Sequence, residues 1–346
     1  MFHAAVDTGA TRSGPWGWAL VRLDVGVAVF FLLSGFLLYR PFVLAHLRGE
    51  RFPSMAAYAR NRVLRIYPAW WVVLAFVGLV LDRVKVDDGR DVPYYVSLLI
   101  GFDPPQLVSG GLTQAWTLTI EITFYAFLPL LCLVLSRAAR GSIGNRLGVH
   151  AAAVAALYVI GLSARALFAA IRPGHPALIW LPTQVDLFAL GMGVALVSAW
   201  DEVRGTTGRV AAFVAARSGW LYASAAVAFW ALAVLADLPR HGTLDPLNLA
   251  QEMRRHVLFG VIALLLLLPG VFGRARLARL RVFTALGTVS YGLYLWHADL
   301  LLELRDLDVT GGRLWPLLAL GLPLSLAAAT ASYWLVERPA LRLKRR

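Results

Sequence analysis

The stretch VGVAVFFLLSGFLLYRPFVL, residues 25–44, contains Arg40 as its single charged side chain. An apolar run of about 20 residues is long enough to cross the hydrocarbon core of a bilayer as an α-helix. The whole chain is similarly apolar, since 59% of its 346 residues are hydrophobic, 15% are charged and the mean hydropathy is +0.67. Soluble domains average roughly 45–50% apolar and about 25% charged residues. The composition therefore excludes an ordinary soluble enzyme, a coiled coil and a disordered chain, and it indicates an all-α polytopic membrane protein.

Eight further apolar runs after residues 25–44 bring the prediction to nine transmembrane helices. The nine predicted spans are residues 25–44, 66–81, 116–135, 149–170, 178–199, 219–236, 256–273, 285–302 and 314–336. Residues 92–102 are too short to cross the bilayer and are predicted to be interfacial or re-entrant. Residues 1–24 contain no uncharged core of the length that a signal peptide needs. The sequence shows no internal repeat, so we expect one membrane-embedded domain over residues 1–346.

The distribution of charge predicts the orientation of these helices. Alternate connecting segments contain 20 and 11 Lys and Arg residues, and the same two sets contain four and 13 acidic residues. Because short loops rich in Lys and Arg stay in the cytoplasm, this alternation predicts an N-terminus outside and a C-terminus inside. The net charge of +13 is divided among separate loops, which argues against a nucleic-acid partner. A single cysteine, Cys132, excludes a disulfide framework, and no metal site is expected.

Ionisable residues inside predicted spans are functional candidates, because a charge at membrane depth is costly. Thr117, Glu121 and Tyr125 are spaced i, i+4, i+8 and therefore share one face of a helix. Glu121 could line an active cavity or clasp two helices together. Arg165 lies in the middle of a span and is expected to pair with a carboxylate in the membrane.

Three arginines, Arg60, Arg62 and Arg65, precede the predicted span 66–81, which begins on the cytoplasmic side. A helix N-terminus carries the positive end of the helix dipole, and arginines bind phosphate oxygens well. The two features together predict a site for phosphate groups at this end of the span. Simple anchoring of the span by positive charge explains any single arginine equally well.

A second polar face is predicted on the span 285–302. Ser290, Tyr294 and His297 are spaced i, i+4, i+7, and Asp299 follows closely. A histidine near the end of a span is more often structural than catalytic, so both interpretations of His297 stay open.

Three weaker signals concern helix packing and caps. Asp186 could cap the helix that follows Pro182 or line a cavity. The pair Gly191 and Gly193 suggests close packing of helices, because small residues let two backbones approach. Ser34 lies within an otherwise apolar span, next to a glycine, where a helix or a ligand could approach the backbone.

The motifs of a known family run through these segments in its usual order. They are FHA at 2–4, DVGVAVFFLLSGFLL at 24–38, RNRVLRIYPAWW at 60–71, QAWTLTIEITFYAFLP at 114–129, LPTQVDLFALGMGVA at 181–195, LGTVSYGLYLWH at 286–297 and VERP at 336–339. With this set the sequence resembles the acyltransferase-3 family of bacterial integral-membrane O-acyltransferases over nearly its whole length.

The resemblance implies an enzyme that transfers an acyl group, commonly acetyl, from cytoplasmic acyl-CoA to a hydroxyl of an envelope carbohydrate, a lipid or a small molecule. It implies acyl-CoA as a co-substrate, no permanently bound cofactor, and a multi-pass location in the bacterial cytoplasmic membrane among membrane lipids. It assigns His3 as the general base, with Glu121 as a second catalytic residue, and Arg62 and Arg65 to donor binding. The residues then expected to line the substrate cavity are Ser34, Trp116, Tyr125, Asp186, Ser290, Tyr294 and His297.

One departure from the family pattern concerns the first span. The family's arginine, eleven residues before its histidine, would lie upstream of Met1, so we expect a chain that starts late or is a fragment. Two other functions stay open, namely a catalytically degenerate paralogue and a transporter or flippase, which would also carry charges within the membrane.

Overall fold

The computed structural model describes residues 2–12, 14–84, 89, 91–102, 112–139, 141–206, 208–235, 238, 246–273 and 281–344. Over these ranges the chain is built from helices and contains no β-strand. The α-helices are α1 (Phe2–Asp7), α2 (Gly14–Val21), α3 (Val25–Arg48), α4 (Met55–Leu79), α5 (Asp91–Ser97), α6 (Ala115–Ala138), α7 (Ile143–Ile171), α8 (Val185–Arg204), α9 (Arg209–Val234), α10 (Leu249–Phe272), α11 (Arg281–Asp306), α12 (Leu314–Ser332) and α13 (Arg338–Arg342). A π-helical turn, Tyr333–Glu337, joins α12 to α13.

Each of the nine predicted spans overlaps one of the longer helices, so the all-α polytopic membrane class is confirmed. In the part of the chain that the structure describes, seven helical segments are long and apolar enough to cross a membrane, and they are Gly14–Arg48, Met55–Leu79, Ala115–Ala138, Ile143–Ile171, Arg209–Val234, Leu249–Phe272 and Leu314–Arg342. Helices α8 and α11 are not among the seven. The count of nine spans and their orientation therefore stay predictions.

Helix α4 begins well before the predicted span and corrects one expectation. Its first residue is Met55, and the Ser54 hydroxyl caps it by accepting the Ala57 N–H at 3.3 Å. Arg62 and Arg65 consequently lie inside the helix rather than before it. Arg65 is ten residues from Met55, or about 15 Å along the axis, and the helix dipole acts mainly within the first turn. The predicted contribution of a helix N-terminus to an Arg65 phosphate site is therefore wrong.

The chain forms two compact units. Unit 1 contains Met1–Leu20, Ser54–Ile122 and Leu277–Arg346, and unit 2 contains Val21–Pro53 and Thr123–Arg276. The single membrane domain over residues 1–346 stays a prediction. In unit 1, α11 packs along α12, and the short helix α1 packs against both. Ala4 fixes α1 there through a buried apolar cluster with Leu301, Leu317 and Leu318.

Unit 2 is organised around the contact of α3 with α8, in which glycines allow close approach. A Cβ atom added at Gly35 would lie 2.2 Å from the Phe188 carbonyl oxygen, and one at Gly191 would lie 1.9 Å from the Leu32 carbonyl oxygen. The close packing predicted at Gly191 is therefore confirmed. The prediction is wrong for Gly193, where an added Cβ would meet Val154 Cγ1 at an ordinary 3.6 Å.

Candidate active site

Helix α11 carries the polar side chains around which the candidate site of unit 1 is built. The Tyr294 hydroxyl is hydrogen-bonded to the Thr117 hydroxyl and lies 2.9 Å from the Gln114 carbonyl oxygen, to which it donates. The start of α6 and the middle of α11 are therefore joined by side chains that the sequence placed on two separate polar faces.

His3 lies beside His297 in this unit. Their ring centroids are 5.2 Å apart with an interplanar angle of 63°, and the Phe2 ring centroid lies 5.1 Å from that of His3. The His297 Nδ1–H donates to the Tyr294 carbonyl oxygen at 2.7 Å. In a neutral ring this bond leaves Nε2 unprotonated, so the ring keeps an acceptor nitrogen. The structure thus brings together His3, Tyr294 and His297, which the sequence placed at opposite ends of the chain.

The pKa of His3 is lowered from 6.5 to about 4, first because burial disfavours the imidazolium and second because His297 lies next to it. His3 belongs to α1, which lies outside the helices long enough to span a membrane. At neutral pH the ring is therefore uncharged and able to accept a proton.

Glu121 lies one turn after Thr117 on α6 and is 6% exposed. Its charge acts on both Tyr291 and Tyr294, so it lies towards the tyrosines of α11. Trp116, near the start of the same helix, is half-buried.

Arg65 is held on two sides by residues from the C-terminal part of the chain. Its Nη1 lies 3.6 Å from Oε2 of Glu337, and its guanidinium carbon lies 5.6 Å from the centre of the Tyr291 ring. The Tyr291 hydroxyl donates to the Ile66 carbonyl oxygen at 2.8 Å, directly after Arg65 in the chain. Glu337 is 1% exposed, whereas the Arg65 side chain is 31% exposed.

Two more cations belong to the same end of unit 1. The Arg62 guanidinium lies 5.9 Å from the centre of the Tyr58 ring. Partial burial and the charges of Arg62 and Arg65 lower the pKa of Lys344, which follows α13. Arg62, Arg65 and Lys344 therefore form a basic cluster drawn from α4 and from the C-terminal tail.

The basic cluster and His3 are connected along a single helix. Tyr291 contacts Arg65 and His297 contacts His3, and six residues separate these two positions of α11. At 1.5 Å per residue this corresponds to about 9 Å along the helix axis.

Ser290 does not join the polar face predicted for this helix. It is exposed, and its hydroxyl donates to the Gly287 carbonyl oxygen of its own helix at 2.9 Å. Asp299 is 1% exposed and accepts from Gln114 Nε2 at 2.9 Å and from the Leu112 N–H at 3.3 Å. Asp299 therefore ties α11 to the start of α6.

The other predicted cavity residues, Ser34, Tyr125 and Asp186, belong to unit 2. Ser34 is 8% exposed and Tyr125 is half-buried. Asp186 does not cap its helix through its side chain but lies 2.6 Å from Nε2 of His256 through Oδ2, and both side chains are buried.

Arg165 pairs with Glu252, as the sequence predicts for a charge in mid-span. Two of its guanidinium nitrogens donate to Oε1 of Glu252 at 3.0 and 2.5 Å, and a third donates to the Thr183 carbonyl oxygen at 3.0 Å. Glu252 falls between the predicted spans 219–236 and 256–273, so the sequence does not identify it as the partner within the membrane. The signal that could have found it is its i, i+4 spacing with His256 on one face of α10.

Unit 2 also contains a chain of buried hydrogen bonds that the sequence did not reveal. The Tyr39 hydroxyl lies 2.5 Å from Nδ1 of His150, and Nε2 of His150 lies 2.8 Å from Nδ1 of His46. Nε2 of His46 lies 3.1 Å from the Ala139 carbonyl oxygen. With Nε2 protonated on both rings, every group in this chain has a donor or an acceptor partner while both imidazoles are neutral.

The chain is similar to one protein family over nearly its whole length and to several individual proteins. The family model described as "Acyltransferase domain", that of the acyltransferase-3 family, matches residues 1–335. Nodulation protein 10 of Rhizobium leguminosarum bv. viciae is 27% identical over 359 residues, covering 97% of this chain and 87% of the relative. Acyltransferase MdmB of Streptomyces mycarofaciens is 30% identical over 202 residues, 52% of this chain and 49% of the relative. The putative peptidoglycan O-acetyltransferase YrhL of Bacillus subtilis (strain 168) is 25% identical over 338 residues, 91% of this chain and 50% of the relative. No solved structure matches the chain significantly.

Proposed function

Because this chain belongs to the acyltransferase-3 family, a family of acyl-transferring membrane enzymes, we propose that it moves an acyl group, such as acetyl, from cytoplasmic acyl-CoA to a hydroxyl group. The acceptor in this proposal is an envelope carbohydrate, a lipid or a small molecule, and the location is the bacterial cytoplasmic membrane. The name of YrhL describes an O-acetyltransferase of peptidoglycan, which supports a carbohydrate hydroxyl as the first acceptor to test here.

The observation that carries the proposal is the arrangement along α11. Arg62, Arg65 and Lys344 offer three cations that suit the phosphate groups of a coenzyme A donor. His297, which contacts His3, lies about 9 Å along the axis of α11 from Tyr291, which contacts Arg65. A donor held by its phosphates at one position has an extended arm between phosphate and thioester, and that arm would bring the thioester towards the imidazole.

The proposed reaction needs a base that is uncharged before the attack. The His3 imidazole takes the proton of the acceptor hydroxyl while the hydroxyl oxygen attacks the thioester carbonyl carbon. The resulting tetrahedral intermediate breaks its C–S bond, the acyl group stays on the acceptor as an ester, and the proton on His3 passes to the departing thiolate. The negative charge of Glu121 would stabilise the imidazolium while it exists.

The test is acyl transfer in membranes that contain the protein. Membranes are incubated with isotopically labelled acetyl-CoA, and glycans and lipids are then analysed by mass spectrometry. His3→Ala should lower the rate by about 100-fold or more, which is the usual contribution of a general base. His175→Ala is the matched control, since it removes another half-buried imidazole from a turn in unit 2. Full transfer by the His3→Ala protein would refute the assignment of the base.

A further inference from the structure

We propose that Glu337 is a positioning residue that fixes the Arg65 guanidinium for the phosphate groups of the donor. This inference rests on the proposed function, since it assumes that Arg65 meets a coenzyme A donor. The sequence places Glu337 in the VERP motif at 336–339 and assigns it no role.

The first reason is the burial of the Glu337 carboxylate. The residue is 1% exposed, and within the described residues neither of its carboxylate oxygens has a hydrogen-bond partner. A buried carboxylate without compensation is costly, and a nearby cation offsets this cost. Arg65 Nη1, 3.6 Å away, supplies that cation. Each group therefore constrains where the other can lie.

The second reason is that the backbone makes room for this carboxylate. Glu337 is the last residue of the π-helical turn, and such turns occur frequently at functional sites. On the facing helix, a Cβ atom added at Gly292 would lie 3.1 Å from Oε1 of Glu337 and 3.2 Å from the Ala329 backbone. Glycine at position 292 thus leaves the space in which the carboxylate lies.

The third reason is that the contacts of Arg65 restrain its guanidinium but leave some of its N–H donors available for a ligand. The Arg65 guanidinium carbon lies 5.6 Å from the centre of the Tyr291 ring, and the Tyr291 hydroxyl donates to the Ile66 carbonyl oxygen. About a third of the Arg65 side chain stays exposed, and a guanidinium has five N–H donors. Hydrogen-bond donors therefore remain for a phosphate group after the contact with Glu337 is made.

The fourth reason is the balance of charge. Arg62, Arg65 and Lys344 carry three positive charges against one negative charge on Glu337, so these four groups keep a net positive charge. Glu337 orients one cation without neutralising the basic cluster as a whole. This is the arrangement expected for an anion site rather than for a closed structural ion pair.

The experiment uses the full-length protein purified in detergent, with equilibrium binding of coenzyme A and steady-state kinetics with acetyl-CoA. Glu337→Gln keeps the size of the side chain and removes its charge. We expect the Kd for coenzyme A and the KM for acetyl-CoA to rise about tenfold, with kcat changed by less than twofold and the acceptor KM unchanged. Glu337→Asp, which keeps the charge, should recover part of the loss.

A double substitution separates positioning from a merely structural role. If Glu337 acts through Arg65, then Glu337→Gln should have no further effect on donor binding once Arg65→Gln is present, because coupled residues are not additive. Glu303→Gln is the matched control, since Glu303 pairs with Arg83 in the same unit at 2.7 Å and should leave donor binding unchanged.

Each outcome decides the inference. Unchanged coenzyme A binding in Glu337→Gln, or equal losses with and without Arg65, would overturn it. If Glu337→Gln is not recovered as a monodisperse protein, the same comparison with Glu337→Asp decides, and unaltered donor affinity there would overturn it too. A native protein that binds coenzyme A but transfers no acyl group would refute the proposed function and leave the positioning role to be judged from the Kd values. A native protein that binds no coenzyme A would refute both.

Discussion

The chemistry of single residues depends here on neighbours that are distant in sequence. The motif around His3 identifies that residue as a candidate base, but it does not reveal that His297 lies beside it. Spacing along one helix correctly relates Thr117 to Glu121 and Tyr294 to His297, because these pairs are local. Glu337 and Glu252 were missed because the partner that gives each its importance, Arg65 and Arg165 respectively, lies on another helix.

The lowered pKa of His3 predicts an unusual pH profile. A general base works in its unprotonated form, and His3 stays unprotonated until the pH falls through about 4. We therefore expect kcat/KM to remain level as the pH falls from about 8 to about 5.5, where an unperturbed imidazole would already be mostly protonated. The measurement is kcat/KM for acetyl-CoA as a function of pH.

The variant His297→Phe is the natural comparison for this profile. It keeps an aromatic ring beside His3 but removes the imidazole that helps to lower the pKa of His3. The pH below which kcat/KM falls should then move upward, towards 6.5. A fall of kcat/KM near pH 6.5 in the native protein would contradict the lowered pKa of His3.

At the scale of helices, apolar runs locate the elements well and their ends poorly. The predicted span 66–81 lies almost entirely within α4, but the helix starts at Met55. Hydropathy marks where a helix enters lipid, whereas its first turn is decided by local capping, here by the Ser54 hydroxyl. Packing between helices was also only half predictable, because a glycine pair does not show which of its members faces the neighbouring helix.

The contact of α3 with α8 gives a prediction about helix packing. Gly191→Ala should lower the free energy of unfolding by about 1–3 kcal/mol, because the new methyl group would overlap the Leu32 carbonyl oxygen. Gly193→Ala is the control two residues away, with ordinary space around it. It should leave the stability unchanged or raise it slightly, since glycine within a helix costs about 0.5–1 kcal/mol relative to alanine. Thermal unfolding in detergent measures both, and equal effects would contradict the described packing.

At the scale of the whole molecule, the family and the membrane class could be predicted from the sequence, whereas the two units could not. Composition and hydropathy are properties of the sequence alone, so predictions made from them require no knowledge of contacts. The units are each assembled from separated stretches, such as Met1–Leu20 with Leu277–Arg346 in unit 1. Such an assembly depends on contacts between residues hundreds of positions apart, which a single sequence does not display.

The predicted orientation can be tested by cysteine labelling in intact cells. Cys132 is fully buried, so the native protein should not react with a membrane-impermeant maleimide. In a Cys132→Ala background, Leu307→Cys should react from outside, whereas Glu50→Cys should react only after the membrane is opened. Both positions are exposed, so burial does not decide the result. The reverse pattern would invert the predicted topology.

The π-helical turn before α13 has a consequence for how this chain can change. Such a turn accommodates one residue more than an α-helix of the same rise. Deleting one residue from 333–336 would therefore convert the turn to ordinary α-helical winding and leave the segment after it nearly in place. A one-residue deletion within α13 has no such extra residue to absorb it, so everything after it would rotate by about 100° around the axis and shift by about 1.5 Å. Lys344 would then move away from Arg65, whereas Glu337, which precedes such a deletion, would stay. The effect of a one-codon deletion on the donor site therefore depends on which side of Glu337 it falls.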